Sequence, residues 1–147
     1  MEDIRLKALT KRYGDITALP PVTACFPAGE TTVLLGPSGC GKTTLFRLFM
    51  GLERPTAGSI SGVPENISAV FQENRLLPEF SALTNIRLVT GNRVGEEDIL
   101  SLLKSLGLGD WAHKPVKELS GGMGRRVAIA RALLHPAELV LMDEPFK

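Results

Sequence analysis

The segment from Gly36 to Thr43 reads Gly-Pro-Ser-Gly-Cys-Gly-Lys-Thr and fits the pattern G-x-x-x-x-G-K-[ST]. Backbone amides of such a glycine-rich loop converge on phosphate oxygens, and a helix that begins at the loop adds a favourable dipole. Lys42 would then reach the terminal phosphates, and the Thr43 hydroxyl would bind Mg²⁺. The alternative is a glycine-rich turn without a ligand. Because the segment lies between an apolar run and a helix start, we predict a nucleotide phosphate site.

An acidic pair near the end of the sequence could complete this site. Asp143 and Glu144 follow the apolar run from Leu139 to Met142. On a strand beside the phosphate-loop strand, Asp143 would approach the magnesium and Glu144 would orient or deprotonate the attacking water. The alternative is a solvated pair at a strand end.

A second glycine-rich segment, Leu119-Ser-Gly-Gly, precedes an apolar helical run. Ser120, Gly121 and Gly122 would form a helix N-terminus with bare amides, which is another anion site. One chain rarely needs two such sites for one triphosphate, so this one is predicted to serve the nucleotide of a second subunit. The alternative is a helix cap whose glycines allow close packing.

The elements that must position these residues follow from periodicity. Residues 4–9 and 22–26 alternate, which predicts strands of an antiparallel lobe. Residues 31–35 are β-branched or apolar and residues 138–142 are apolar from Leu139 onward, as in strands buried on both faces of a parallel sheet. Two short strands (59–60 and 67–71), a helix starting near Lys42 and an amphipathic helix over 96–106 are also predicted.

Composition excludes several classes of protein. The 147 residues carry a net charge of +1, which implies no nucleic-acid partner. No apolar run reaches the length of a membrane span and the first residues lack a secretory signal, so we expect a cytoplasmic protein. Cys25 and Cys40 have no metal spacing and should be reduced thiols, with Cys25 buried or half-buried.

The motifs together resemble the ATP-binding subunit of ABC transporters. The phosphate loop, Val-Phe-Gln-Glu at 70–73, Leu-Ser-Gly-Gly and Leu-Met-Asp-Glu-Pro occur in that order, and the resemblance covers essentially the whole chain. It implies an α/β fold: a P-loop NTPase core with a parallel sheet, an antiparallel β-lobe and a helical insert, incomplete at the C-terminus. The expected single domain, 1–147, comprises the β-lobe and phosphate-loop core (1–79), the helical insert with the Leu-Ser-Gly-Gly signature of residues 119–122 (80–135) and a final core strand (136–147).

The resemblance also implies the roles of individual residues. Thr43, Gln72 and Asp143 would bind Mg²⁺, and Glu144 and Gln72 would act in catalysis. An aromatic ring, here Tyr13, would stack on adenine, unless it is an ordinary loop tyrosine. The expected ATP-binding residues are Gly36, Pro37, Ser38, Gly39, Cys40, Gly41, Lys42, Thr43, Thr44, Tyr13, Ser120, Gly121 and Gly122.

Partners and location follow from the same resemblance. The nucleotide would lie between this chain and a second ATP-binding subunit, expected as a homodimer on the inner face of the cell membrane. The region from Gln72 to Thr90 would dock on transmembrane permease subunits. The stretch 71–78 and Met123 are similar to importers of the nitrate, sulfonate and taurine class, which implies a small anion as cargo.

Two departures from the family pattern affect the expected function. After Glu144, family members continue through a dimer-contact loop to a histidine that touches the γ-phosphate, and His113 and His135 precede that point. The alternative to an ATP-hydrolysing subunit is therefore a truncated nucleotide-binding module with little or no turnover, marginally stable and prone to associate. A soluble ABC-type ATPase of repair or translation is disfavoured, because those chains carry long inserts or paired cassettes.

Gly124 in the first helical turn predicts a looser signature helix.

Overall fold

The chain folds as two units, one ending at Ile67 and one beginning at Ser68. The structure is a computed structural model that describes residues 2–145. Met1, Phe146 and Lys147 of the expected domain 1–147 lie outside the described residues. The expected single domain and its three parts stay a prediction.

Alternating residues at the start of the first unit form an antiparallel sheet. Strand β1 (Ile4–Tyr13) pairs with β2 (Ile16–Phe26) on one side and with β3 (Ala57–Ser61) on the other. Because successive side chains of a strand point to opposite faces, one face of the sheet is apolar. It contributes the buried residues Ile4, Leu6, Leu9 and Leu19. The expected antiparallel β-lobe is confirmed.

Cys25 differs from the expectation. The strand alternation places Ala24 and Phe26 on one face of β2 and Cys25 on the other, where it is exposed. The expectation of a buried or half-buried thiol is wrong, because that expectation considered residue type and ignored the parity of the strand. The Cys25 Sγ lies 3.7 Å from Asp3 Oδ2.

Helix α1 (Lys42–Phe49) follows the phosphate loop and starts where the sequence predicts. Its buried residues, Leu45, Leu48 and Phe49, recur at helical spacing and form one apolar stripe. The Phe49 ring meets Phe26 of β2 edge to face, with centroids 5.4 Å apart. This stripe anchors the helix, and so the end of the loop, to the first unit.

Residues 31–35 do not form the expected buried strand. The structure assigns them no regular secondary structure, and Val33 and Leu35 are 71% and 89% exposed. A strand exists only where a neighbour supplies hydrogen-bond partners, and within the described residues no strand pairs with this segment. The prediction of a strand buried on both faces is therefore wrong for 31–35, although its sequence pattern favours one.

Strands β4 (Ile67–Val70) and β5 (Leu139–Met142) form a two-stranded sheet, which lies in the second unit except for Ile67, the last residue of the first. The pairing continues past β5, where the Asp143 amide donates to the Val70 carbonyl at 2.8 Å. Both strands are confirmed. The burial of β5 is smaller than expected, because in the described chain it pairs with β4 alone: Leu141 is buried and Val140 is 38% exposed.

Three helices connect the two strands and form the larger core. They are α2 (Ala82–Thr90), α3 (Glu96–Ser105) and α4 (Gly121–Leu134). Short 3₁₀ turns at Gly91–Arg93, Gly109–Trp111 and Val116–Glu118 join them. Their shared core holds Ala82, Leu83, Ile86, Ile99, Leu103, Leu108, Ala112, Val116, Val127 and Ala130. The helical character expected for 80–135 is thus observed. Within residues 2–145, none of the helices has the combined length and hydrophobicity of a membrane span.

Candidate functional site

The phosphate loop ends at Gly41, the residue before α1. Gly41 has φ +97°, a region that side chains other than glycine rarely adopt. A Cβ there would lie 2.7 Å from the Ala18 carbonyl oxygen. Both observations require glycine, and together they bring the loop backbone close to β2 while directing the start of α1 towards the loop. The shape fits an anion held by the backbone at a helix N-terminus.

Lys42 lies over the loop that it would serve. Its Nζ donates to the carbonyls of Gly36 at 2.7 Å and Pro37 at 2.9 Å, and lies 3.5 Å from the Cys40 Sγ. Carbonyl oxygens carry no net charge and are weaker partners for an ammonium group than anionic phosphate oxygens, because the attraction between opposite charges adds to the hydrogen bond. A phosphate at the loop would compete for the ammonium without a large movement of the side chain.

Tyr13 lies at the end of β1 and is 42% exposed. The Lys11 ammonium lies 4.8 Å from its ring centroid, and Lys11 also pairs with Glu53 at 2.8 Å. Hydrogen bonds from Lys11 and from the Tyr13 hydroxyl hold the pKa of the Glu53 carboxyl below its usual range. The Lys11 ammonium thus lies near one face of the ring. Its expected role against adenine stays a prediction.

The signature segment begins a helix as expected. Ser120 is the N-cap of α4, and its Oγ accepts from the Met123 amide at 3.3 Å. Gly121 and Gly122 are exposed, and a Cβ on either would meet nothing within 4 Å. The cap is therefore observed, and the first turn is accessible. The role of these residues towards a second subunit stays a prediction.

Gly124 is a packing position. It is buried, and a Cβ there would lie 3.2 Å from Asn74 Nδ2 and 3.9 Å from Leu76 Cδ1. Helix α4 runs without interruption from Gly121 to Leu134 despite this glycine. The small residue lets the segment that follows Gln72 approach the helix closely.

Gln72 follows β4, as Asp143 and Glu144 follow β5, so the β4–β5 pairing brings the ends of both strands together in the second unit. The Gln72 side chain is exposed and the two acids are half-buried. Glu144 has φ +49°, an uncommon conformation for a residue with a side chain. Such a backbone costs about 1–3 kcal/mol and persists only where its surroundings hold it.

Arg125, which the sequence reasoning did not single out, holds these strand ends. This buried residue of α4 donates from Nη1 to the carbonyls of Phe71 and Gln72, the latter at 3.4 Å. Its Nη2 donates to the carbonyls of Asp143 at 2.8 Å and Glu144 at 2.6 Å. Its Nε donates to the Pro145 carbonyl at 3.1 Å. A signal was available, because Arg125 shares a helix face with Ala128 and Ala132, where an apolar residue would be ordinary.

A second arginine, Arg131, bonds the segment that follows Gln72. Arg131 donates from Nη2 to the Asn74 carbonyl at 3.0 Å and from Nη1 to the Arg75 carbonyl at 2.8 Å. Burial lowers the pKa of the Arg131 guanidinium, which nevertheless stays charged in proteins. The Arg75 guanidinium in turn lies 3.8 Å from the Phe71 ring centroid.

Two further expectations can be placed in the structure. Exposed apolar side chains occur in and just before α2, within the expected docking region: Leu77, Phe80, Leu88 and Val89 are 46%, 49%, 59% and 41% exposed. His135 is the C-cap of α4 and its Nδ1 lies 3.1 Å from the Val89 carbonyl oxygen, as expected for a helix-end residue. In residues 2–145, no group of three or more His, Cys, Asp or Glu could hold a metal by protein ligands alone.

Comparison with known proteins gives a consistent set of relatives. Residues 19–147 match the family described as ABC transporter. The aliphatic sulfonates import ATP-binding protein SsuB 1 of Paracoccus denitrificans is 41% identical over 97% of this chain and 60% of its own length. The Fe(3+) ions import ATP-binding protein FbpC of Brucella suis is 40% identical over 97% of this chain and 44% of its own length. This chain therefore spans about half the length of these relatives.

A solved structure has the same fold. It is described as the dimeric structure of MJ0796, a bacterial ABC transporter cassette, and it matches with a TM-score of 0.84 and 32% identity. The match covers 97% of this chain and 74% of that chain. The expected α/β fold of a P-loop nucleotide-binding cassette is confirmed.

Proposed function

Because this chain belongs to the ABC transporter family, we propose that it binds and hydrolyses ATP to power an importer. The observation that carries the proposal is the junction of the loop and α1, where left-handed Gly41 is followed by Lys42, whose ammonium already lies on loop carbonyls. Two relatives support it, since both are described as import ATP-binding proteins.

The ATP phosphates are proposed to bind at the loop and the start of α1. Backbone amides would hold the phosphate oxygens and Lys42 would neutralise part of their charge. The binding residues are Gly36, Pro37, Ser38, Gly39, Cys40, Gly41, Lys42, Thr43 and Thr44. Tyr13 would stack on adenine.

Hydrolysis is proposed to use the ends of β4 and β5. Mg²⁺ would be held by Thr43, Gln72 and Asp143. Their hydroxyl, amide and carboxylate oxygens are the kind of ligand that this ion prefers. When bound, Mg²⁺ supplies charge neutralisation at the phosphates. Glu144 would accept a hydrogen bond from the attacking water and orient it, and Gln72 would touch the same water.

The proposed partners are a second copy of an ATP-binding subunit and transmembrane permease subunits. The dimeric cassette with the same fold supports the first partner. Ser120, Gly121 and Gly122, accessible at the start of α4, would contact the γ-phosphate of the nucleotide held by the other subunit. The apolar side chains around α2 would dock on the permease at the inner face of the cell membrane.

A small organic anion is the proposed cargo. Sulfonate import proteins from Paracoccus denitrificans and Pseudomonas syringae are 41% and 42% identical to this chain. The xylose/arabinose import protein XacJ of Haloferax volcanii is 38% identical. Because identities within the family differ little, the cargo is tested separately, by sulfonate uptake in cells that lack the gene.

Nucleotide binding tests the proposal directly. A fluorescent ATP analogue is titrated onto the purified chain and onto Lys42→Ala. Loss of a charge-assisted contact of about 1.5–3 kcal/mol should weaken binding about tenfold to a hundredfold. Lys104→Ala, which removes an exposed lysine of α3, is the matched control and should bind as the parent chain does.

Hydrolysis is tested by phosphate release from the chain and from Glu144→Gln. The variant keeps the shape of the side chain and removes the carboxylate, so it should bind ATP and release phosphate far more slowly. Equal rates in both chains would rule out the enzymatic part of the proposal. Equal binding by the parent chain and Lys42→Ala would rule out the phosphate site.

A further inference from the structure

We propose that Arg125 is a positioning residue for ATP hydrolysis, which sets the spacing between Gln72 and the Asp143–Glu144 pair from the helix that carries the signature serine. The inference rests on the proposed function of those residues. It adds a residue whose role neither the motifs nor the relatives' names assign.

The geometry of the guanidinium is divided between the two strand ends. Nη1 donates to carbonyls after β4, at Phe71 and Gln72, and lies 3.4 Å from Asn74 Oδ1. Nη2 and Nε donate to three successive carbonyls after β5. One rigid planar group therefore connects both segments, and a change in their separation would break several charge-assisted bonds together.

Burial increases the importance of these bonds. Arg125 is only 7% exposed, and a buried cation must keep its hydrogen bonds, since leaving one unpaired costs more than the bond contributes. Arg125 therefore holds Glu144 in its left-handed conformation. Its bonds fix the carbonyl of Glu144 itself and those of the residues before and after it, Asp143 and Pro145.

Helix α4 connects the signature to the Arg125 clamp, by which we mean the Arg125 bonds to the carbonyls of residues 71–72 and 143–145. Ser120 caps the same helix in whose second turn Arg125 lies. Gly124 lets the segment after Gln72 approach closely enough for the Arg125 bonds to form. A displacement of α4 would consequently move both strand ends together, which is what coordinated placement of Gln72 and Glu144 requires.

The test separates the effect of the planar set of N–H donors from the effect of the positive charge. Arg125→Lys keeps the charge and removes the planar fork, and Arg125→Gln removes both. Arg93→Gln, an exposed arginine outside the clamp, is the control. Arg131→Gln is the comparison, because it releases the Asn74–Arg75 carbonyls and leaves the end of β5 untouched.

Fluorescent ATP is titrated in EDTA and in Mg²⁺, and phosphate release is measured as kcat and KM. Binding in EDTA depends on the phosphate loop, and we expect both Arg125 variants to stay within about twofold of the parent. The gain in affinity on adding Mg²⁺ should fall about tenfold, and kcat should fall about tenfold to a hundredfold with little change in KM, because misplacement of catalytic groups acts on the reaction step. Arg93→Gln should match the parent throughout.

Backbone amide NMR shifts report the positioning independently of activity. Arg125→Lys should shift resonances at both 71–74 and 143–145, whereas Arg131→Gln should shift only those near 74–75. The inference is overturned if Arg125→Lys shifts only one segment, or if its Mg²⁺-dependent affinity and kcat equal those of the parent. Failure of the proposed function looks different: the parent chain itself would not bind ATP, or it would release phosphate no faster than Glu144→Gln.

Discussion

Individual residues of the site differ in how their conformations are determined. Gly41 is required by its own backbone angle and by the nearby Ala18 carbonyl. Glu144 also has a positive φ, yet it carries a side chain, so its conformation must be held from outside. Arg125 supplies that support through bonds to the surrounding carbonyls. A sequence motif therefore identifies Gly41, but it does not reveal Arg125, on which the conformation of Glu144 depends.

Replacing Gly41 with alanine tests the steric requirement of the loop. Gly51→Ala is the matched control, because Gly51 also has a positive φ but a Cβ there would meet nothing within 4 Å. We expect Gly51→Ala to cost about 1–2 kcal/mol from the left-handed backbone alone. Gly41→Ala should cost at least about 1 kcal/mol more and weaken ATP binding. Urea unfolding measures both, and equal losses would contradict the predicted clash.

Asp3 should make stability depend on pH in the acid range. The Ala28 amide donates to Asp3 Oδ1 at 3.1 Å, and this bond is the main cause that lowers the pKa of Asp3 below 3.8. Because the folded pKa is lower than the unfolded one, the contribution to stability is complete above the unfolded pKa and is lost as pH falls through the folded pKa. An NMR titration of the Asp3 carboxyl checks this, and a midpoint at or above 3.8 would contradict it.

At the scale of elements, the helix termini carry the predicted chemistry. Helices α2 and α4 begin in the same way, since Ser81 Oγ accepts from the Thr84 amide at 3.1 Å and Ser120 Oγ accepts from Met123. Both serines are ordinary caps by this measure. Only Ser120 is followed by two exposed glycines, which leave the first turn accessible to a ligand.

A pair of serine variants separates the cap from the subunit contact. Ser81→Ala and Ser120→Ala should each reduce the free energy of unfolding by about 1 kcal/mol, because each removes one N-cap bond. Only Ser120→Ala should also reduce ATP hydrolysis, since that serine is proposed to contact the γ-phosphate across the dimer. If both variants hydrolyse ATP like the parent, the cap interpretation of Ser120 suffices.

At the scale of the whole molecule, burial is uneven across the chain. The largest core lies among the helices of the second unit, where Ile99, Leu103 and Val127 are fully buried. The apolar segment 31–35 of the first unit is largely exposed. Stability should therefore depend strongly on the first set of residues and weakly on the second.

Two substitutions compare these regions. Leu103→Ala removes a fully buried side chain and should cost about 2–5 kcal/mol. Val33→Ser alters a side chain that is 71% exposed and should stay within about 0.5 kcal/mol of the parent. Thermal or urea unfolding measures both changes. A loss of more than about 2 kcal/mol for Val33→Ser would contradict the exposed position of this side chain.

The sequence by itself determined the features that depend on near neighbours along the chain. The phosphate loop, the Ser120 cap and the amphipathic stripe of α3 involve residues no more than a few positions apart, so their pattern is visible in one dimension. The resemblance carried by the motifs correctly predicted the family and the fold. The same motifs suggested roles for individual residues, and these roles remain proposals.

Only the tertiary structure decided the features that need distant partners. A strand forms where a neighbour offers its backbone, and the apolar pattern of 31–35 cannot reveal whether such a neighbour is present. Arg125 bonds carbonyls that lie 54 residues earlier, at Phe71, and 18 residues later, at Asp143. No local periodicity encodes that arrangement, because it arises only when β4, β5 and α4 meet in space.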